Sequence, residues 1–159
     1  TNIAPLSKVR LAEEFEALRL SALDYQAKTG AFPSIGLICI GELKNYKPRA
    51  DFMKGFLAAG GVQTVEQQCL SVEEASAFIE QSKKKHYVLC GSDADYSENA
   101  VEWTQKLSAS FEDIKLLMAG KQTAELEQQL TAVGIAEFVS VKSNAVTLLT
   151  AILKDLEVL

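Results

Sequence analysis

Apolar positions along the chain change rhythm near residue 34. Upstream, Leu11, Phe15, Leu18 and Ala22 recur at helical spacing with Glu13, Glu14, Glu16 and Arg19 between them, which predicts an amphipathic helix over 8–28. Gly30 and Pro33 then punctuate the chain, so the helix stands as an arm whose apolar stripe needs a surface to bury it. Downstream, short β-rich runs at 35–40, 62–66, 86–90, 114–119 and 137–141 read as strands. They alternate with segments of helical length and period at 48–59, 72–84, 97–110, 123–133 and 144–156.

Alternation at this spacing implies parallel strands joined by right-handed crossovers, with helices on both faces of the sheet. The expected architecture is α/β, a flavodoxin-like, doubly wound, five-stranded parallel sheet at 34–159 preceded by a helical arm and linker at 1–33. Turn chemistry agrees with this division. Gly60-Gly61 and Gly134 follow predicted helix ends and supply the backbone freedom a tight turn needs. Ser71, ahead of Val72-Glu73-Glu74, and Asn144 stand where helix N-caps are expected. Neither an internal repeat nor a low-complexity stretch interrupts the pattern.

Composition narrows the classes of function. With 159 residues, 48% hydrophobic and 23% charged, the chain can bury a core without disulfides or metal. No apolar run approaches the roughly 20 residues of a membrane helix, and no signal-peptide pattern opens the chain. A start at Thr1 leaves two readings open, a processed protein or a piece of a longer one. The net charge of −5 argues against nucleic-acid binding, which rests on Lys and Arg neutralising phosphates. The basic cluster Lys83-Lys84-Lys85 reads as a solvated helix C-terminus. Cys39, Cys69 and Cys90 are odd in number and widely spaced, and two lie in strand-like runs. They read as buried free thiols of a cytoplasmic protein, and with one histidine and no CxxC pair no metal site is expected.

In an open parallel sheet, ligands bind beyond the carboxyl ends of the strands. The loops that matter are therefore 41–47, 91–96 and 120–123. Asp93, Asp95 and Glu98, in and just after the second loop, read as solvated carboxylates at a helix start in preference to a Mg²⁺ site or an acid–base pair. A phosphoacceptor receiver would place an acidic pair after the first strand, where Glu42 stands alone. His86 begins a strand at the wrong end of the sheet for catalysis, which leaves Ser92 without a base and fits it to bonding the loop. Lys44, Lys47 and Arg49 read as surface charges in preference to contacts for a phosphate or a partner's carboxylate, and Trp103 reads as helix–sheet packing. Neither a P-loop nor a GxGxxG frame is present. No catalytic constellation emerges.

Gly41 after the first strand, Ala58-Ala59-Gly60-Gly61, Ser92, and Ala119-Gly120 after the fourth resemble the cobalamin-binding domains of adenosylcobalamin-dependent mutases. In that family the first loop carries Asp-x-His-x-x-Gly, whose histidine replaces the lower axial ligand of cobalt. Aligned without a gap from Gly41 to Gly60, this chain has Leu43, Asn45 and Pro48 at those three positions. A closer resemblance covers essentially the whole chain. Phe15-Glu16-Ala17-Leu18-Arg19, Thr29-Gly30, Arg49-Ala50-Asp51-Phe52 and Cys90-Gly91-Ser92-Asp93 followed by Tyr96 are similar to the small subunit of heterodimeric methylmalonyl-CoA mutase, whose cobalamin-like domain is degenerate. The resemblance implies a non-catalytic assembly domain that follows a barrel domain in the natural chain. It implies that no cofactor is ligated at Leu43, Asn45 and Pro48, beside a vestigial crevice at Gly41, Ser92 and Gly120. The expected partner is the large subunit, which holds adenosylcobalamin for the isomerase reaction between methylmalonyl-CoA and succinyl-CoA, and the N-terminal helix offers a surface for self-association. The alternative is weak binding of cobalamin or another small molecule in the crevice.

Overall fold

A computed structural model describes the backbone from Ile3 and the side chains from Lys8, through to Leu159. The order of elements is α1 (Ile3–Thr29), β1 (Ser34–Ile40), α2 (Leu43–Ala58), β2 (Gln63–Cys69), α3 (Val72–Ser82) and β3 (His86–Cys90). It continues through α4 (Asp93–Asp95), a π-helical turn (Tyr96–Ala100), α5 (Val101–Ser110), β4 (Lys115–Ala119), α6 (Ala124–Val133), β5 (Ile135–Val139) and α7 (Ala145–Asp155). The strands form one five-stranded sheet in the order β2-β1-β3-β4-β5. Pairing of β1 with β3, β3 with β4 and β4 with β5 is parallel. This is the flavodoxin-like order, with its switch point between β1 and β3.

Two compact units make up the chain. The larger covers 35–53 and 64–142 and the smaller covers 1–34, 54–63 and 143–159. In the larger unit, Ile38, Ile40, Tyr87, Leu89, Leu116 and Met118 on one face of the sheet join Phe78 and Ile79 of α3, Trp103 and Leu107 of α5 and Leu130 of α6 in one core. On the other face Leu37, Cys39, Val88, Cys90 and Leu117 are also buried, as parallel strands require. Trp103 is thus a packing residue. Tyr87 lies against Gly36, its register partner on β1, and a Cβ at Gly36 would overlap its ring.

In the smaller unit, α1 is anchored by its C-terminal half. Leu18 and Ala22 are buried, Arg19 donates to the Ala59 carbonyl at 3.1 Å, and a Cβ on Gly61 would stand 2.6 Å from that of Ala22. The stripe expected at Leu11, Phe15, Leu18 and Ala22 is not buried throughout: Leu11 is 47% exposed and Phe15 half-buried. Val9, Leu20 and Leu23 are exposed as well.

Other boundaries differ from expectation too, and the helix expected from residue 97 already starts at Asp93. β2 runs on through Gln67-Gln68 to Cys69 because it is an edge strand with exposed side chains and needs no apolar run. β5 starts directly after Gly134, which caps α6 at φ 135, so Val141 lies outside it and is exposed. The largest difference concerns α2. The expected loop 41–47 is mostly helix, since α2 starts at Leu43 and Pro48 lies inside it. Proline is most at home in a first helical turn, so Pro48 read as a helix start. The extra turn is held by Asn45 and Tyr46, whose N–H groups donate to the Glu42 carbonyl at 2.9 and 3.2 Å, and by burial of the Tyr46 ring.

Candidate functional site

The carboxyl ends of β1, β3 and β4 meet at Gly41, Gly91 and Gly120. Gly41 and Gly120 have φ 86 and 100, a backbone state that favours glycine, and each has a side chain lying where its own Cβ would be. Asp95 Oδ2 lies 2.8 Å from that point at Gly41, and the Arg49 guanidinium carbon 2.6 Å from it at Gly120. Ser92 starts α4 as an N-cap, accepting from the Asp95 N–H at 3.1 Å and donating to Asp95 Oδ2 at 3.0 Å. The three residues of the expected crevice are therefore gathered at one end of the sheet.

Arg49 organises this end. One terminal nitrogen donates to the Gly91 carbonyl at 2.9 Å, the other pairs with Asp93 Oδ1 at 2.8 Å, and the guanidinium carbon stands 5.1 Å from the centre of the Tyr96 ring. The hydrogen bond from Arg49 holds the Asp93 carboxyl below its ordinary range. Gln122 adds a donor to the same oxygen at 3.3 Å. The sequence reading of Arg49 as a surface charge is corrected by this geometry: its side chain is 25% exposed and turned inward. Lys47 does pair on the surface, with Asp51 at 2.7 Å, and Lys44 lies 3.7 Å from Glu42. Asp93 is the exposed carboxylate expected at a helix start, and it is in addition the ion-pair partner of Arg49.

Sequence reasoning missed the role of Tyr96. Its side chain is fully buried at the head of the π-helical turn. The hydroxyl lies 2.7 Å from the Ala119 carbonyl and 2.9 Å from that of Leu89, so its proton is shared, and it accepts from the Gly91 N–H at 3.0 Å. Burial raises its pKa strongly, which keeps it a neutral donor. The available signal was a tyrosine five residues past Gly91 within a glycine-flanked loop.

Among the residues expected at the altered ligand positions, Leu43 is 58% exposed, Asn45 half-buried and Pro48 exposed, all within the first turns of α2. Cys39 and Cys90 are register partners on adjacent strands, and both are buried. A hydrogen bond with Cys39, then burial, drives the Cys90 pKa well up; burial pushes that of Cys69 up to about 12. The Cys69 and Cys90 thiols are therefore neutral and unreactive at pH 7. His86 is buried at the start of β3, away from the crevice. Among the described residues, no group of three or more His, Cys, Asp or Glu is placed to hold a metal ion, and no helix is long and apolar enough to cross a membrane.

Over 151 residues the chain is 33% identical to the methylmalonyl-CoA mutase small subunit of Porphyromonas gingivalis, covering 94% of this chain and 23% of that protein. The chain is a homologue of that subunit. It is also 30% identical over 159 residues to a "Probable methylmalonyl-CoA mutase small subunit" of Mycobacterium bovis, covering 96% of this chain and 24% of the relative. It thus spans about a quarter of the length of these relatives. No family model matches it. Among solved structures, a cobalamin-binding protein from Desulfitobacterium hafniense has a TM-score of 0.58 at 16% identity, over 77% of this chain and 58% of that one. A CheY-like protein from Pseudomonas aeruginosa has a TM-score of 0.61 at 13% identity, over 79% and 94%. At these identities the two structures establish the shared fold alone.

Proposed function

We propose that the chain is the cobalamin-domain-like part of a methylmalonyl-CoA mutase small subunit, retained for assembly and without catalytic residues. By this reading it ligates no cobalamin. Its cytoplasmic large-subunit partner holds adenosylcobalamin and interconverts methylmalonyl-CoA and succinyl-CoA. The observation that carries the reading is the winding of residues 43–48 into α2. A protein ligand to cobalt needs a basic nitrogen held by a hydrogen-bonded neighbour. Asn45 offers a neutral amide, Leu43 accepts no hydrogen bond, and Pro48 replaces backbone freedom with a ring of fixed φ. These residues do not fit an axially ligated cofactor, so no chemical step is derived through one. Contacts are what remains for a well-packed domain of this kind, and the apolar face at Val9, Leu20 and Leu23 of α1 supplies one surface for them.

The test uses the full-length small subunit. Its co-purification with the large subunit should weaken when residues 34–159 are deleted, and undiminished association would remove the assembly role. Tight cobalamin binding by the 159-residue chain would overturn the reading, and weak binding would favour the alternative of a crevice that still takes a small molecule.

A further inference from the structure

The partners of Arg49 are fixed by bonds that do not involve it. The Gly91 N–H bonds to the Tyr96 hydroxyl, the Tyr96 hydroxyl reaches the Leu89 and Ala119 carbonyls, and Asp93 sits in the turn capped by Ser92. Gly120 leaves open the space in which the guanidinium lies, and any side chain there would enter it. A carbonyl, a carboxylate, an aromatic ring and an open glycine thus surround one planar cation from several directions. Such a site is assembled before its occupant arrives, and preorganised sites bind without a further ordering cost.

We infer that the strand-end crevice is a guanidinium site filled from within, with Arg49 as its resident ligand, and that it takes up a free alkylguanidinium when that side chain is removed. The selectivity is for a planar cation. Separate N–H groups reach Gly91 and Asp93 while the guanidinium carbon stands near the Tyr96 ring, whereas an ammonium concentrates its donors on one atom. Three segments around the ligand crevice of this fold class, α2, the β3–α4 loop and the β4–α6 loop, are thereby tied to each other by one side chain. The inference deepens the reading above and rests on it for its biological meaning. Cobalamin binding by the wild type would end that reading and leave the cation measurement standing.

The experiment is thermal unfolding of Arg49→Ala in the 159-residue chain, with ethylguanidinium, ethylammonium or sodium chloride at about 10 mM, far below denaturing concentrations. Arg49→Ala should lower Tm by roughly 3 to 6 °C, and ethylguanidinium should restore about half of the loss by binding the folded state. Ethylammonium and sodium should not, and wild type should not respond. Equal effects of the two organic cations, or no recovery with ethylguanidinium, would overturn the proposal. Should Arg49→Ala not fold, the wild-type Arg49 Nε–H resonance decides: it should exchange with water more slowly than free arginine, and exchange as fast as free arginine would equally overturn it.

Discussion

Asp93 and Arg49 pair at 2.8 Å across the top of the sheet, yet they meet water unequally, with 76% of the Asp93 side chain exposed against 25% of that of Arg49. The pair therefore holds Arg49 in place more than it stabilises the fold, because exposed ion pairs are strongly screened. The Asp93 carboxyl is lowered first by the hydrogen bond from Arg49. A folded-state value below the unfolded one contributes stability above the unfolded value, and this is lost as pH falls through the folded value. The window is acid, from about pH 4 downward. Asp93→Asn should flatten the acid limb of stability against pH, as read from urea midpoints between pH 2 and 7. An unchanged limb would mean that the pair does not persist in solution.

Tyr96 makes a stronger claim on stability because its hydroxyl is buried among backbone groups. Tyr96→Phe keeps the ring beneath Arg49 and removes the acceptor of the Gly91 N–H. An orphaned buried donor costs about 1 to 3 kcal/mol, so urea denaturation should detect the loss, and the Gly91 amide should exchange faster. A neutral substitution would mean that water replaces the hydroxyl.

The alternation of five strands with helices was legible because buried parallel strands must be continuously apolar, as Leu37 to Ile40 and Tyr87 to Cys90 are. β2 was legible only in part, since an exposed edge tolerates Glu66, Gln67 and Gln68. At the crevice, Gly41, Ser92 and Gly120 could be placed from strand ends alone. Arg49 could not. Its direction depends on Gly120, 71 positions away and brought close only by the sheet order, and no local pattern encodes that. Pro48 misled for the opposite reason: a strong local signal was overridden by the anchoring of Tyr46.

Gly61 tests how α1 is held. It has φ 79, and a Cβ there would crowd Ala22 at 2.6 Å. Gly61→Ala should therefore combine backbone strain with overpacking and cost about 1 to 3 kcal/mol. Because the contact lies on α1, limited proteolysis should release residues 1–30 faster than in wild type. Release at the wild-type rate would mean that this contact does not hold the arm.

Asn45→His asks whether restoring one ligand atom restores a cobalt site. Position 45 is in the first turn of α2, where its N–H donates to the Glu42 carbonyl at 2.9 Å, so a histidine there inherits a helical backbone. Its ring would have no carboxylate to orient it, because Leu43, two residues earlier, is an exposed alkyl group. An axial histidine depends on such a partner for its tautomer and basicity. At the opposite side of the strand ends, the Arg49 guanidinium would still fill the space beside Gly120, and Pro48 would still hold the helix where a glycine would have left freedom. The single variant should give no base-displaced, histidine-coordinated spectrum when titrated with cobalamin at micromolar protein. Arg49→Ala combined with Asn45→His should open space without supplying orientation, and so should also fail to produce that spectrum. Its appearance in Asn45→His alone would mean that the helical start of α2 unwinds readily around a cofactor, and the degenerate reading of this domain would fall with it.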